Sequence, residues 1–348
     1  MATLINLGNT CYINSCIQIL SYTEELNNLL NNEKTIRRIK NNNIDGLLLS
    51  EWNSLRELMQ STDTVISPKR FLQVIQNVAK SKNAELFTGY MQNDINEFFF
   101  FLIESFHNAL SRNINTTISG SIENKTDKLA LECYKTIQNE YKNGYSEIYE
   151  IFNGMSVSII SDFTTNKQLN YKCEPYSTLE LPIPSHKMPT LKDCFDLYTE
   201  EEEIVGENAW FDENQNKKID IKKRILFWSF PKVLVITLKR FTNEDKKNQK
   251  KVHFPIDNLD LSKYVVGYNK DIYKYKLFGI CNHHGRVPFG GHYTSLVKLD
   301  KYHDWFEYND ENLITHKNDD KIVTQKAYCL FYKRVKKIEK DNEKENIK

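Results

Sequence analysis

The hydrophobic period of this chain changes once, and that change limits the folds open to it. Up to about residue 147 the apolar residues repeat with helical spacing. Ile13, Cys16, Ile17 and Leu20 fall at i, i+3, i+4 and i+7, one face of a helix. Ile95, Phe98, Phe99, Leu102, Phe106 and Leu110 make a wider stripe. The run Phe98 to Phe101 predicts that this second helix is buried on more than one side. After about Ile148 the pattern becomes that of strands. Val233 to Phe241 is β-branched and follows the breaker Pro231. Tyr275–Cys281, His292–Leu299, Trp305–Tyr308 and Ala327–Val335 are further strand candidates, separated by loops with Gly, Asp or Asn. Helices first and strands second predict an α+β architecture.

A length of 348 residues allows two domains or one large one. With 40% hydrophobic residues there is material for a sizeable core. The formal net charge of +1 argues against a dedicated nucleic-acid binder. No apolar run is long enough to span a membrane, so no membrane association is expected. Met1 to Thr10 has neither a basic nor an apolar leader segment, so no signal peptide is expected. These features point to an intracellular protein, cytoplasmic or nuclear. Glu200 to Glu203 and Asn243 to Lys251 read as exposed charged loops, and the tail 336–348 as frayed or disordered.

The seven cysteines are Cys11, Cys16, Cys133, Cys173, Cys194, Cys281 and Cys329, and no two form a CxxC pair. That spacing suits neither a disulfide framework nor a cysteine-rich zinc site. For most of them the ordinary reading is a small buried hydrophobe. Cys11 differs. A Gly-containing loop, Asn6-Leu-Gly-Asn-Thr, delivers it to the start of a helix. The free amides and dipole there favour a negative charge, hence a thiolate nucleophile. A cysteine nucleophile needs a base. His292 follows Gly290-Gly291 and begins a strand that would hold its ring. Asn309 and Asp310 end the next strand and are candidates to orient it.

These segments resemble the boxes of a known family. Asn6 to Ser15 is similar to the Cys box of the ubiquitin-specific proteases, deubiquitinases among the papain-like cysteine peptidases. Met91-Gln-Asn-Asp-Ile-Asn-Glu-Phe98 resembles the family's second motif. His283-His-Gly285, Gly290-Gly-His-Tyr293 and Trp305 to Asp310 resemble its His box. Leu238-Lys-Arg-Phe241 with Phe254-Pro255, and Glu174-Pro-Tyr176 with Leu179 to Pro182, match segments between them. The motifs occur in family order over about residues 4 to 333.

The resemblance implies a papain-like fold in a right-hand arrangement. Its helical thumb would cover about 1–147, β fingers about 153–230 and a β-rich palm the remainder of a single catalytic domain, 1–335. It implies Cys11 as nucleophile, His292 as base and Asn309 as orienter, a position where the family more often has Asp. Asp310 would be a helper, and the Asn6 amide would join the Cys11 N–H in the oxyanion hole. Gln92, Asp94 and Glu97 would line one side of a channel for the ubiquitin tail, with Phe241, His283 and Tyr293 opposite. Asp94 and Glu97, three apart, would share a helix face. The segments 243–251 and 284–289 would be mobile loops over that channel. The partner implied is ubiquitin or a ubiquitinated protein, with the enzyme acting as a monomer and needing no cofactor. Two other readings stay open: a non-catalytic ubiquitin-binding module, and a protease for a ubiquitin-like modifier. Many relatives carry a zinc site built from two CxxC pairs. Here Asp162-Phe-Thr-Thr165 and Ala209 to Asn216 stand at those places, so no metal is expected.

Overall fold

The computed structural model describes residues 1–40, 42–212, 216–241, 246–287, 290–299 and 301–335. The charged tail lies outside the described residues, as do parts of both channel loops and of Ala209 to Asn216.

The first part is helical, apart from strand β1 (Thr3–Leu4), which pairs in parallel with β2 (Val65–Ile66). Its helices are α1 (Cys11–Ser21), α2 (Glu24–Leu30), α3 (Glu33–Ile36), α4 (Ile44–Ser61), α5 (Lys69–Ser81), α6 (Ile95–Leu110), α7 (Lys125–Lys142) and α8 (Glu147–Phe152). In α6 the rings of Phe98, Phe99 and Phe101 are buried, as the aromatic run predicts, but Phe100 is 54% exposed. Four successive positions sweep round the whole helix, and one of them faces away from the core. Helix α1 departs further from its amphipathic pattern. Every residue in it is buried, including Asn14, Ser15 and Gln18. Its polar side chains are used internally. Gln18 donates to the Ala2 carbonyl and Asn14 to the Ile5 carbonyl.

The strands after α8 form two larger sheets. Strands β3 (Gly154–Asp162), β4 (Gln168–Tyr176), β6 (Glu202–Ile204) and β9 (Ile221–Ser229) make an antiparallel sheet in the order β4-β3-β9-β6. A small hairpin, β7 (Trp210–Asp212) with β8 (Lys217–Ile219), extends from it. Between β3 and β4, where relatives' first CxxC pair would fall, Asp162 Oδ1 accepts from the amides of Thr164 and Thr165 and from the Thr165 hydroxyl. This Asx turn reverses the chain with side-chain hydrogen bonds.

The main sheet contains β5 (Thr178–Pro182), β10 (Val233–Lys239), β11 (Leu259–Asp260), β12 (Lys274–Val287), β13 (Gly290–Leu299), β14 (Asp304–Asn309), β15 (Asn312–His316) and β16 (Ala327–Arg334). Its order is β15-β14-β13-β12-β16-β10-β5, with β11 paired to β12. Only β10 and β5 run parallel among these pairs. Val233 and Val235 of β10 join the helical core, while Leu234, Ile236 and Leu238 join a second core with Leu191 and Phe195 of α9 (Leu191–Tyr198). A strand covered on both faces needs a continuous apolar run, which Val233 to Leu238 supplies. Helix α1 lies across β13, β12 and β14. Cys11 is thereby set beside the strands that carry the candidate base. Among the described residues no helix is long and apolar enough to cross a membrane.

Candidate active site

The loop before α1 is organised by one amide. Asn6 Oδ1 accepts from the backbone N–H of Gly8 at 3.0 Å and of Thr10 at 3.2 Å. Thr10 Oγ1 in turn accepts from the Leu7 N–H at 2.9 Å. These bonds hold Gly8 and Asn9 at positive φ, +102° and +54°. The chain turns tightly and enters the helix at Cys11, which is 2% exposed. Gln92, on the segment leading into α6, places Nε2 3.8 Å from the Cys11 sulfur and donates to the Gly291 carbonyl at 2.9 Å. It therefore joins the helical part to the main sheet at the thiol.

His292 sits near the start of β13. Gly291 before it has φ +144°, a conformation side-chain-bearing residues rarely adopt, and a Cβ there would collide with His284 O and His283 Nε2. The His292 ring donates from Nε2 to Asn309 Oδ1 at 2.6 Å. With that nitrogen committed, Nδ1 is the one left to exchange a proton with the thiol. The hydrogen bond to Cys11, and next the one to Asn309, raise the imidazolium to about 9 against the opposing effect of burial.

Asp310 follows in a left-handed conformation, φ +50°. Its Oδ2 accepts from Asn6 Nδ2 at 2.9 Å and its Oδ1 from Asn14 Nδ2 at 2.8 Å. Oδ2 also lies 3.9 Å from His292 Nε2, and the Asp310 carbonyl accepts from the Leu4 N–H. One carboxylate thus ties the Cys11 loop, helix α1 and the end of β14 together beside the imidazole.

The residues expected on the tail channel divide into two sets. Gln92, Glu97 and Phe241 are at least partly accessible. Burial first, then the charges of Asp94 and Glu180, raise the Glu97 carboxyl. Asp94 does not share a helix face with Glu97. It is the cap of α6, with Oδ1 accepting from the Asn96 and Glu97 amides and Oδ2 from the Tyr328 hydroxyl at 2.6 Å. Asp is a favoured N-cap because it satisfies amides the helix leaves unpaired. His283 and Tyr293 are fully buried, beneath the surface instead of on an open wall. Their rings pack at 4.8 Å and meet Tyr328, while Phe241 stands edge-on to His283. Burial and the nearby Lys247 charge lower His283 to about 3. Lys247 itself corrects the reading of 243–251 as a solvated loop. Its half-buried ammonium contacts His283 Nδ1 and the His283 carbonyl, and burial lowers it to about 8. Lys250 is also tied down, on the Pro184 carbonyl.

The family description "Ubiquitin carboxyl-terminal hydrolase" matches residues 2–332. The chain belongs to that family. Ubiquitin carboxyl-terminal hydrolase Usp2 of Drosophila melanogaster is 30% identical over 342 residues, covering 95% of this chain and 34% of that protein. Ubiquitin carboxyl-terminal hydrolase 2 of Homo sapiens is 31% identical over 342 residues, covering 95% of this chain and 55% of that protein. The chain therefore spans about a third to just over half of the length of these relatives. Among solved structures, the SAGA Ubp8/Sgf11/Sus1/Sgf73 DUB module bound to ubiquitin aldehyde superposes with a TM-score of 0.74. The match covers 97% of this chain and 70% of that one at 20% identity, a likeness of fold.

Within this member of the family, three residues of the site were not anticipated from the sequence. Asn14 anchors Asp310 yet lies inside the Cys box, where its polarity on a buried helix was an available signal. Tyr328 closes the Asp94 cap from 234 positions away, and Lys247 reaches His283 from a charged loop. Nothing local marks either one.

Proposed function

We propose that this chain is a deubiquitinating cysteine protease, hydrolysing the peptide or isopeptide bond after the C-terminal glycine of ubiquitin. The observation that carries the reading is the alignment of Cys11, His292 and Asn309, with Nε2 donating to Asn309 and the ring hydrogen-bonded to Cys11. Cys11 attacks the carbonyl carbon as a thiolate while Nδ1 of His292 carries the proton. The tetrahedral oxyanion is received by the Cys11 N–H and by the Asn6 amide proton not engaged by Asp310. His292 protonates the leaving amine, and a thioester joins the ubiquitin glycine to Cys11. Water, deprotonated by the same imidazole, releases the product. Asn309 holds the tautomer and Asp310 supplies the negative charge that an Asn cannot.

Substrate-side roles follow on the same reading. Gln92 and Glu97 contact the tail directly, since carboxylates and amides suit a strand rich in arginine and exposed amides. Asp94, His283 and Tyr293 support that wall from beneath. Residues 1–147, 153–230 and the remainder of 1–335 serve as thumb, fingers and palm. The enzyme works as a monomer in the cytoplasm or nucleus, where thiols stay reduced. The names of the relatives and the ubiquitin aldehyde in the solved neighbour support ubiquitin as the modifier.

Ubiquitin bearing a C-terminal electrophile tests this directly. Covalent labelling that vanishes in Cys11→Ala is expected. Tight binding of ubiquitin without labelling would replace the reading with a non-catalytic module. Labelling only by a ubiquitin-like probe would change the modifier.

A further inference from the structure

Two cysteines on other elements approach each other in a way that packing alone does not require. Cys133, on the buried face of α7, and Cys173, on β4, bring their sulfur atoms to 3.2 Å. Both are free thiols. A disulfide needs about 2.05 Å between sulfurs, and this pair stands close to that distance. The surroundings keep the sulfurs facing. Ala130, Met155, Val157 and Trp228 form a small core between α7 and the sheet, and Cys173 packs against its edge.

The two thiols are not equivalent. Cys133 is fully buried, whereas Cys173 is half-exposed on the edge strand of its sheet. The two sulfurs share one S–H···S hydrogen bond. That bond pulls the Cys173 thiol below its ordinary range and pushes Cys133 far above it. Burial pushes Cys16, Cys194, Cys281 and Cys329 upward instead. Exposure and thiolate character together decide which cysteine an oxidant reaches.

We propose that Cys133 and Cys173 are a peroxide-sensitive dithiol that closes to a disulfide between α7 and β4. The Cys173 thiolate attacks hydrogen peroxide, the O–O bond breaks, and Cys173 sulfenic acid and hydroxide form. Cys133 then attacks the Cys173 sulfur. The S–S bond forms as the S–O bond breaks, and the departing hydroxide takes up the Cys133 proton as water. Overall the two thiols lose their hydrogens and two electrons, and peroxide is reduced to water. A thiol reductant reverses the step. The bond closes a loop between positions 40 apart and fastens the β4-β3-β9-β6 sheet to the helical part. It involves neither Cys11 nor His292 and stands apart from the reaction proposed for them.

The test treats the whole chain with hydrogen peroxide, blocks remaining thiols with N-ethylmaleimide, and analyses the unreduced digest by mass spectrometry. The expected product is a Cys133–Cys173 cross-linked peptide that dithiothreitol abolishes. In Cys133→Ser the Cys173 sulfenic acid should persist and be trapped by dimedone. In Cys173→Ser, Cys133 should stay reduced. Both variants are checked by thermal melting, and where one fails to fold the wild-type digest decides alone. Free Cys133 and Cys173 after Cys11 has been oxidised, or Cys133 reacting ahead of Cys173, would overturn the proposal.

Discussion

Replacing Asn309 by Ala removes the acceptor that holds the His292 ring, and its effect can be worked from the structure. The lost contact is a 2.6 Å hydrogen bond from Nε2. Hydrogen bonds to charged groups are worth about 1.5–3 kcal/mol. At about 1.4 kcal/mol per decade, kcat/KM should fall about 10- to 150-fold. Asp310 Oδ2 stands 3.9 Å from the same nitrogen, so a short swing of the ring finds a substitute acceptor. The loss should therefore lie toward the lower end of that range. The pH profile gives a second readout. His292 is raised to about 9, so its protonated form is complete below the ordinary histidine range and is lost as pH rises through 9. Asn309 is the second-largest support of that elevation. Asn309→Ala should move the alkaline limb of kcat/KM to lower pH, and Asn309→Asp should move it higher by adding a full charge. The assay is hydrolysis of a fluorogenic amide at the ubiquitin C-terminus between about pH 6 and 10, with melting curves as the folding control. A well-folded Asn309→Ala protein within about twofold of wild type, with its alkaline limb unmoved, would refute the orienting role.

Three further outcomes are expected. Tyr328→Phe strands an oxygen of the Asp94 carboxylate and should cost about 1–3 kcal/mol in urea unfolding, with Asp94→Ala costing about 1 kcal/mol more for the lost helix cap. Gly291→Ala adds a Cβ that collides with the His284 carbonyl at a φ of +144°; strain of about 1–3 kcal/mol should appear as a lower melting temperature together with lost hydrolysis. Cys16→Ala should keep full labelling by the ubiquitin probe, because Cys16 is wholly buried on α1 and its thiol is pushed far up by burial; loss of labelling in a folded protein would displace Cys11 as the nucleophile.

What could be read in the sequence was local. Cys11, His292 and Asn309 each sit in a short motif whose backbone needs are written beside them: Gly8 for the turn into α1, Gly291 for the bend before the imidazole. The α+β class followed from a change of period that tertiary packing did not override. What the sequence did not show lies where a distant partner decides a side chain's surroundings. Asp94 matches a channel position by resemblance, but Tyr328 and the α6 amides claim both of its oxygens. His283 and Tyr293 belong to a binding motif, yet an aromatic cluster draws them under the surface. Lys247 sits in a run that composition marks as solvated, and only the fold reveals the carbonyl and imidazole it reaches. Cys133 and Cys173 looked like two inert hydrophobes because their meeting depends on α7 lying against β4.

The complete burial of α1 has a consequence for how the site fails. Protein regions that open independently are those with exposed backbone and few packed neighbours. This helix has neither, being enclosed by three strands of the main sheet and by α4 and α6. Its central amides should exchange with solvent deuterium only when the strands and helices around it open. The thiol then has no private route to disorder: as denaturant rises, its helix should lose structure together with the strands and helices that enclose it, and not ahead of them.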